Sequence, residues 1–393
     1  METFKPIVKT SRIAIVDVLR GFALFGVLLA NVPYDHQAAM EHEYNQVFGF
    51  VYDMLINRKF ITLFSILFGF GFHIQMNRAI SKGLNFNSYF LRRMGLLFLI
   101  GCIHCFLIWN GDILMSYALG GVLLLLVRNW SIGRLTILAI ALSVVLTGII
   151  FIGNAVLGWQ QHSYDSYYIL KHPVANSYGE YLHINFRISQ WVNFLQDMPL
   201  TLVFTFGNML IGCILGKLKF FLNPSKQRQL TNRFIILGAM VGLPCSYLFH
   251  LVNINTLELD VSMVWLPFVV ITGMILQTLG YMALFVKLAP IPLFKKLTSW
   301  FSYVGRTALS NYILQSILYL TVIFHAITPF GLYGNTPRGE TYLIAAIFFI
   351  WQSFISFIWL KEYEQGPLEY LWKKMSYKGF VRGGKKIGVG KTE

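Results

Sequence analysis

The chain has 393 residues, of which 56% are hydrophobic and only 12% are charged, and its formal net charge is +15. About a quarter of the residues of a soluble domain are charged, and an outer-membrane barrel consists of short alternating strands, so neither class fits. Repeated apolar runs of about 20 residues instead predict an all-α, polytopic transmembrane helical bundle.

The first apolar run, residues 12–33, carries three polar residues at membrane depth: Asp17, Arg20 and Asn31. Such residues are costly in lipid and normally face a protein interior or a polar cavity. Asp17 and Arg20 are three residues apart, so they share a helix face and can pair. Asn31 returns to nearly the same face as Arg20, since about 100° separates successive residues. The alternative is a pair that only locks helix packing, with Asn31 as a helix-end residue.

Ten spans are predicted, and their residues are, in chain order, 12–33, 60–76, 89–109, 113–127, 135–157, 191–215, 234–251, 263–288, 300–325 and 341–360. Residues 47–57 form an apolar segment too short to cross a bilayer, which predicts an interfacial or re-entrant helix. The pairs Gly212/Gly216 and Gly238/Gly242 predict close helix packing. We divide the chain into an N-terminal membrane half, residues 1–215, and a C-terminal membrane half with a basic tail, residues 216–393.

Charge asymmetry predicts the topology. If the N-terminus is cytoplasmic, all but five of the 32 Lys and Arg residues lie on the cytoplasmic side; the exceptions are Arg58, Lys59, Lys171, Arg187 and Arg338. This split satisfies the positive-inside rule at every connection. We therefore expect a multi-pass membrane protein with both termini in the cytoplasm.

The third span repeats the arrangement of the first. Arg93 and His104 are also eleven residues apart, and Asp112 follows at the outer turn. A histidine titrates near neutral pH and suits proton transfer, which makes His104 a candidate for such a role. The alternative is that His104 bonds a neighbouring carbonyl and that Asp112 caps the next helix.

Span nine carries polar residues on two faces, with Arg306 and Ser310 on one and Asn311 and Gln315 on the other. They either line a polar cavity or form a ladder that holds helices together.

Four arginines lie toward the cytoplasmic half of the spans: Arg20, Arg92, Arg93 and Arg306. The planar guanidinium recognises phosphates, so these residues predict a cavity for a cytoplasmic, phosphate-bearing ligand. The chain has no Walker loop and no Gly-rich dinucleotide motif after a strand, which argues against nucleotide hydrolysis.

The positions of the histidines and cysteines bear on two kinds of chemistry: acid–base catalysis and a metal or redox site. His36, His42 and His104 lie on or beside the polar-marked spans, whereas His250 ends a span with no polar partner nearby in sequence. The spacing of Cys102 and Cys105 allows a metal or redox site, but buried apolar cysteines are the interpretation that we adopt, and no metal is expected.

Five segments carry a resemblance to a known family: DVLRGFALFGVLLAN (17–31), KFITLFSILFGFGF (59–72), RRMGLLFLIGCIHCFLIWNGDILMSYALGG (92–121), VGRTALSNYILQS (304–316) and GPLEYLW (366–372). They resemble the YeiB-like family of bacterial inner-membrane proteins, and the resemblance extends over nearly the whole chain.

The first helix also resembles that of the wider transmembrane acyltransferase superfamily, which includes the lysosomal heparan-glucosaminide acetyltransferase and bacterial sugar O-acyltransferases. This resemblance implies a cytoplasmic acetyl-CoA or other acyl-CoA donor and an outer acceptor such as a sugar or lipid-linked glycan. In the heparan branch the first helix ends in Asn and a catalytic His follows in the outer loop. The resemblance thus assigns Asn31 to the acyl carbonyl and His36 or His42 to the base, with His104 and Asp112 as the alternative. The O-acyltransferase branch has His in place of Asn31.

An acyltransferase is therefore the expected function. A transporter or exporter of a small polar or amphipathic solute is the main alternative, and a non-catalytic membrane partner protein is the third. We expect the lipid bilayer and a small-molecule acceptor as partners and no nucleic acid. A homodimer is compatible with the sequence.

Overall fold

The computed structural model describes residues 13–31, 43–81, 85–109, 111–156, 177–188, 198–253, 264–318 and 338–377. Within these ranges all regular structure is helical. The helices of the N-terminal half are α1 (Ala14–Asn31), α2 (Glu43–Val51), α3 (Lys59–Ser81), α4 (Phe86–Ile103), α5 (Leu114–Val127), α6 (Ile132–Ile140), α7 (Thr147–Val156), α8 (Tyr178–Ile188) and α9 (Met198–Lys217). Those of the C-terminal half are α10 (Arg228–Leu237), α11 (Leu243–Asn253), α12 (Leu266–Leu288), α13 (Pro292–Arg306), α14 (Ala308–Leu318), α15 (Arg338–Glu362) and α16 (Pro367–Tyr377).

In the described part of the chain, 8 helical stretches are long and apolar enough to cross a membrane. They are Ala14–Asn31, Gln46–Ser81, Phe86–Ile108, Ile132–Gly153, Met198–Lys217, Arg228–Asn253, Leu266–Leu288 and Gly339–Glu362. The all-α transmembrane class is thereby confirmed. The count of ten spans and the cytoplasmic position of the termini stay predictions, as does the division at residue 215.

Predicted span nine is not one continuous helix. The backbone leaves the helical conformation at Thr307, where φ is −118° and ψ is 37°, so α13 ends at Arg306 and α14 begins at Ala308. The Thr307 hydroxyl donates to the carbonyl of Tyr303 and contacts the hydroxyl of Ser356 on α15. A helix restarted inside the protein needs partners for the N–H groups of its first turn, and these come from α16.

Helix α16 lies against the start of α14 and against α4. The Glu369 carboxylate accepts the backbone N–H groups of Leu309 at 2.6 Å and Ser310 at 3.2 Å, and the Ser310 hydroxyl at 2.6 Å. Burial raises the pKa of Glu369 above its ordinary value, and these hydrogen bonds oppose the shift. On α4, the Trp372 indole N–H donates to the carbonyl of Arg93 at 2.8 Å. The segment GPLEYLW thus joins two helices that are far apart in sequence.

Helix α2 continues as a π-helical turn, Tyr52–Ile56, and is separated from α3 by a break at Arg58, whose φ is +57°. Residues 47–57, predicted as a short separate helix, form the first part of the stretch Gln46–Ser81, and the break at Arg58 separates them from α3. Three carbonyls before the break accept hydrogen bonds from side chains instead of a further helical turn. These bonds are Lys59 Nζ to Asp53 O (2.6 Å), Gln277 Nε2 to Met54 O (2.8 Å) and Tyr281 O–H to Leu55 O (3.2 Å).

Helices α1 and α13 cross at a pair of glycines. A methyl group at Gly21 would overlap the carbonyl oxygen of Phe301, and one at Gly305 would overlap that of Asp17. The predicted role of the Gly212 and Gly238 pairs in close packing is also confirmed, since Gly212 lies against the backbone of α3 and Gly238 against that of α12. Close approach of backbones gives the dispersion contacts that hold helices together in lipid.

Candidate functional site

His104 and Asp112 form a buried pair at the turn between α4 and α5. The Nδ1 atom of His104 lies 2.8 Å from Oδ1 of Asp112, and both side chains are 0% exposed. The other carboxylate oxygen of Asp112 accepts the backbone N–H of Met115 at 2.9 Å. Asp112 therefore caps α5 and contacts His104 at the same time, so the capping interpretation does not exclude the pairing.

The backbone around the pair explains how the two residues meet. After Ile103, α4 continues as a π-helical turn, His104–Ile108, a feature often found at functional sites. Gly101 lies one turn earlier, where an added Cβ would sit 2.8 Å from the Met115 nitrogen and 3.0 Å from Asp112 Oδ2. The absence of a side chain at Gly101 thus lets the start of α5 approach α4.

A third residue, Ser316 of α14, completes a hydrogen-bonded chain with this pair. Its Oγ atom lies 2.8 Å from His104 Nε2, and the residue is 1% exposed. A carboxylate can only accept hydrogen bonds, so Nδ1 of His104 carries the proton toward Asp112. In the neutral ring Nε2 is then an acceptor, and the Ser316 hydroxyl donates to it. The sequence did not predict Ser316, although it is the last residue of the segment 304–316.

Tyr312, one turn before Ser316, packs beside the pair. The ring centroids of Tyr312 and His104 are 5.0 Å apart, and the Tyr312 hydroxyl donates to the carbonyl of Gly111 at 3.4 Å. The tyrosine connects α14 to the same turn that carries Asp112. The site is therefore enclosed by α4, α5 and α14.

The arginines predicted to bind phosphate have protein partners. Arg20 donates to Asp17 at 3.2 Å and is about one-third exposed, with its side chain facing Gly71 of α3. The guanidinium of Arg93 lies 3.6 Å from the centre of the Trp372 ring, and Arg306 donates to the carbonyl of Glu364 at 3.3 Å. Arg92 is exposed. A common phosphate cavity for these residues stays a prediction.

One cavity of about 240 Å³ lies at the adjoining ends of α3, α4 and α5. Arg128 lines it and contacts the side chain of Asn87, and Asn85 and Asn129 lie beside them. None of the four predicted arginines lines this cavity. It is smaller than the roughly 300–1,000 Å³ typical of ligand pockets, so it does not by itself account for an acyl-CoA site.

The polar residues of span nine hold helices together. Ser310 donates to Glu369, and Asn311 donates to the hydroxyl of Ser356 on α15 at 3.0 Å. Gln315 donates to the side chain of Gln352 at 3.1 Å. These contacts fit the ladder interpretation, in which polar side chains bond across helices.

The remaining predicted residues lie near one end of α1. Asn31 is the last residue of that helix and is half-buried. His36 and His42 lie outside the described residues, so their roles stay predictions.

Comparison with known proteins identifies a matching family model and several similar proteins. A family model described as "Protein of unknown function (DUF418)" matches residues 215–379. The chain is 29% identical to "Uncharacterized protein YxaH" of Bacillus subtilis (strain 168), over 96% of this chain and 97% of the relative. It is also 29% identical to "Uncharacterized protein YeiB" of Escherichia coli (strain K12), over 92% and 95% of the two chains. A 39.9 kDa protein of Bacillus acidopullulyticus is 28% identical over 95% and 96%. The family-model match and these relatives, which are similar over nearly the full chain, support a YeiB-like family.

The matched region of this YeiB-like chain contains Ser316 and Glu369, whereas His104 and Asp112 precede it. The hydrogen-bonded chain at the site therefore joins the family-model region to the N-terminal half.

A second buried histidine–carboxylate pair was missed by sequence reasoning. Asp53 Oδ2 lies 2.9 Å from Nδ1 of His250, and the amide of Asn253 donates to the same carboxylate at 3.1 Å. Lys59, which is 0% exposed, reaches the backbone carbonyl of Asp53. Sequence reasoning found no polar partner close to His250 along the chain, and the partner in the structure lies 197 residues away.

In the part of the YeiB-like chain that the structure describes, no disulfide joins Cys102, Cys105, Cys213 and Cys245. Within the same residues, no group of three or more histidine, cysteine, aspartate or glutamate side chains is placed to hold a metal ion.

Proposed function

We propose that this protein is a membrane acyltransferase in which His104 is the general base and Asp112 its orienting partner. The observation that carries the proposal is the 2.8 Å contact between His104 Nδ1 and Asp112 Oδ1, with both side chains fully buried. A carboxylate that holds Nδ1–H fixes the tautomer and leaves Nε2 as the proton acceptor. A base within hydrogen-bond reach of a hydroxyl is what acyl transfer to an alcohol needs.

The donor would be acetyl-CoA or another acyl-CoA, and the acceptor a sugar or a lipid-linked glycan. Arg20 supports a donor site, because its guanidinium is partly exposed and already held by Asp17. A guanidinium in this setting can bind phosphate oxygens through its planar fork. Arg92 is an exposed second cation for the same ligand. Asn31 would donate its amide N–H to the acyl carbonyl as negative charge develops there.

The protein would act in a bacterial plasma membrane with both termini in the cytoplasm. The excess of Lys and Arg on the predicted cytoplasmic segments supports this orientation. It places the turn with Asp112 at the outer end of the bundle, where an acceptor from outside would arrive.

The test is acceptor-dependent release of CoA by the purified protein in nanodiscs. Acetyl-CoA and longer acyl-CoAs are offered with a panel of sugars and lipid-linked glycans, and free thiol is measured. We expect His104→Gln to lower turnover by about 10²–10⁴-fold, since general base catalysis has that magnitude.

His73→Gln is the matched control, because His73 is also buried in a helix and its side chain is hydrogen-bonded to Asn77 of the same helix. Full turnover in His104→Gln would exclude this residue as the base and direct attention to His36 and His42. No CoA release from the parent with any donor and acceptor would reject the acyltransferase proposal.

The surroundings of Asp53 favour a second candidate function, proton-coupled transport of a small polar or amphipathic solute. A buried carboxylate in contact with a histidine, beside a buried lysine, is typical of proton and ion pathways in membranes. Proteoliposomes with a trapped pH dye would test it. Proton movement that depends on an added solute mixture and is lost in Asp53→Asn would support transport, and its absence in the parent would argue against it.

A further inference from the structure

We infer that Ser316 is a nucleophile that carries the acyl group covalently during the reaction, with His104 as its base; this rests on the proposed function. The carrying observation is that His104 Nε2, the nitrogen left to accept a proton, already faces the Ser316 hydroxyl at 2.8 Å. In this structure the hydroxyl that reaches the base therefore belongs to the protein.

The chain of contacts has the order that activates a serine. Asp112 contacts Nδ1 at 2.8 Å, and Ser316 contacts Nε2 at the same distance. Asp112 is held in turn by the Met115 N–H. A carboxylate, a histidine and a hydroxyl in this arrangement recur on unrelated folds and are recognised by their geometry.

Comparison with other buried hydroxyls in the same bundle shows that Ser316 is oriented toward His104. A helical serine usually donates to the carbonyl four residues earlier. Ser65 and Ser353 do so at 2.7 and 2.8 Å, whereas the corresponding distance from Ser316 to Tyr312 O is 3.4 Å. The shortest contact of the Ser316 hydroxyl is therefore with the imidazole.

The reaction then proceeds in two balanced steps. In the first, Ser316 Oγ bonds to the acyl carbon, the thioester C–S bond breaks, and the serine proton passes through His104 Nε2 to the departing CoA sulfur. In the second, the acceptor hydroxyl gives its proton to Nε2 and bonds to the acyl carbon. The bond to Oγ breaks, and the proton returns to Ser316. The burial of all three side chains keeps water from the ester between the two steps.

The inference can be tested with a fluorophosphonate probe and, separately, with acyl-CoA in the absence of an acceptor. Adducts are located by intact-protein mass and peptide mapping. We expect both reagents to modify Ser316 in the parent, with no adduct there in Ser316→Ala and labelling at least tenfold slower in His104→Gln. Ser353→Ala, which removes a buried serine bonded only to its own helix, should label like the parent.

The variants need a check on folding, so thermal unfolding is measured for each. Ser316→Cys provides a second route, because a thiol at this position should form an acyl thioester that hydroxylamine cleaves. Turnover of acyl-CoA at the parent rate in Ser316→Ala would overturn the inference.

The two proposals fail in different ways. Acceptor-dependent CoA release by a parent that gives no adduct on Ser316 would leave an acyltransferase that works by direct transfer, and the nucleophile would be rejected. A fluorophosphonate adduct on Ser316 without any acyl-CoA turnover would support the activated serine and reject the acyl-CoA donor. Neither adduct nor turnover would reject both.

Discussion

Buried carboxylates at the residue scale are surrounded by hydrogen-bond donors. Asp53 receives His250 and Asn253 from α11, and Asp112 receives His104 and the Met115 N–H. An ionised carboxylate in a low-dielectric interior needs such partners, because burying it alone costs several kcal/mol. These residues therefore decide local stability as well as chemistry.

Asp53→Ala should destabilise the protein by about 3–5 kcal/mol, because it removes the buried carboxylate to which His250 and Asn253 are hydrogen-bonded. Thermal or denaturant unfolding in detergent would measure the change. The matched control is Glu362→Ala, which removes an exposed carboxylate and should change stability by no more than about 0.5 kcal/mol. Equal stability of both variants would contradict the assigned role of Asp53.

At the element scale, the local sequence does not show which residues stabilise the breaks in the helices. Neither break, at Arg58 or at Thr307, contains a proline, so apolar length alone joined span nine into one helix. The partners that stabilise the breaks lie far along the chain: Gln277 and Tyr281 for α2, and Glu369 for α14. Local periodicity in the sequence does not reveal contacts between such distant residues.

Two glycine substitutions test the close crossing of α1 and α13: one lies at the crossing, and the other, on α4, is the control. Gly305→Ala places a methyl group on the carbonyl of Asp17 and should cost about 1–3 kcal/mol, since the backbones must separate. Gly95→Ala faces open space in α4 and should be neutral or stabilising by up to about 1 kcal/mol. Unfolding of the two variants in the same detergent compares them. A neutral Gly305→Ala would contradict the close crossing.

The docking of α16 should depend on pH through Glu369. Its raised pKa means that the docked helix binds a proton more tightly than the undocked one. The stability that it contributes is therefore fully present below the ordinary glutamate pKa and is lost as the pH rises through the raised value. We expect the unfolding temperature of the parent to fall more than that of Glu369→Gln between about pH 4 and pH 8. Parallel pH profiles would contradict the buried position of the carboxylate.

At the scale of the whole molecule, the sequence indicates contacts between neighbouring residues of the site but not contacts between distant ones. His104 and Asp112 are eight residues apart across a turn, so sequence reasoning could consider them together. Ser316 is 212 residues from His104, and the partner of Arg93 is a tryptophan 279 residues later. The helical class followed from composition, whereas contacts between the two halves depend on how the helices pack in three dimensions.

Topology provides a prediction for the whole chain. Single cysteines placed on a background without the four native ones should react with an impermeant maleimide from outside only in the predicted outer segments. A cysteine at Gly111, which is exposed beside Asp112, should react, and one at exposed Lys296 should react only after permeabilisation. Labelling of Lys296→Cys in intact cells would show that the orientation is the reverse of the predicted one.

Whether His104 and Asp112 act as one catalytic unit is tested most directly by a double-mutant cycle on acyl-CoA turnover. The values of kcat/KM are measured for the parent, His104→Gln, Asp112→Asn and the double variant with one acceptor. Residues that act together are strongly non-additive, so the double variant should be no slower than His104→Gln alone. Losses that simply multiply, or a His104→Gln variant as fast as the parent, would contradict a base that works through Asp112.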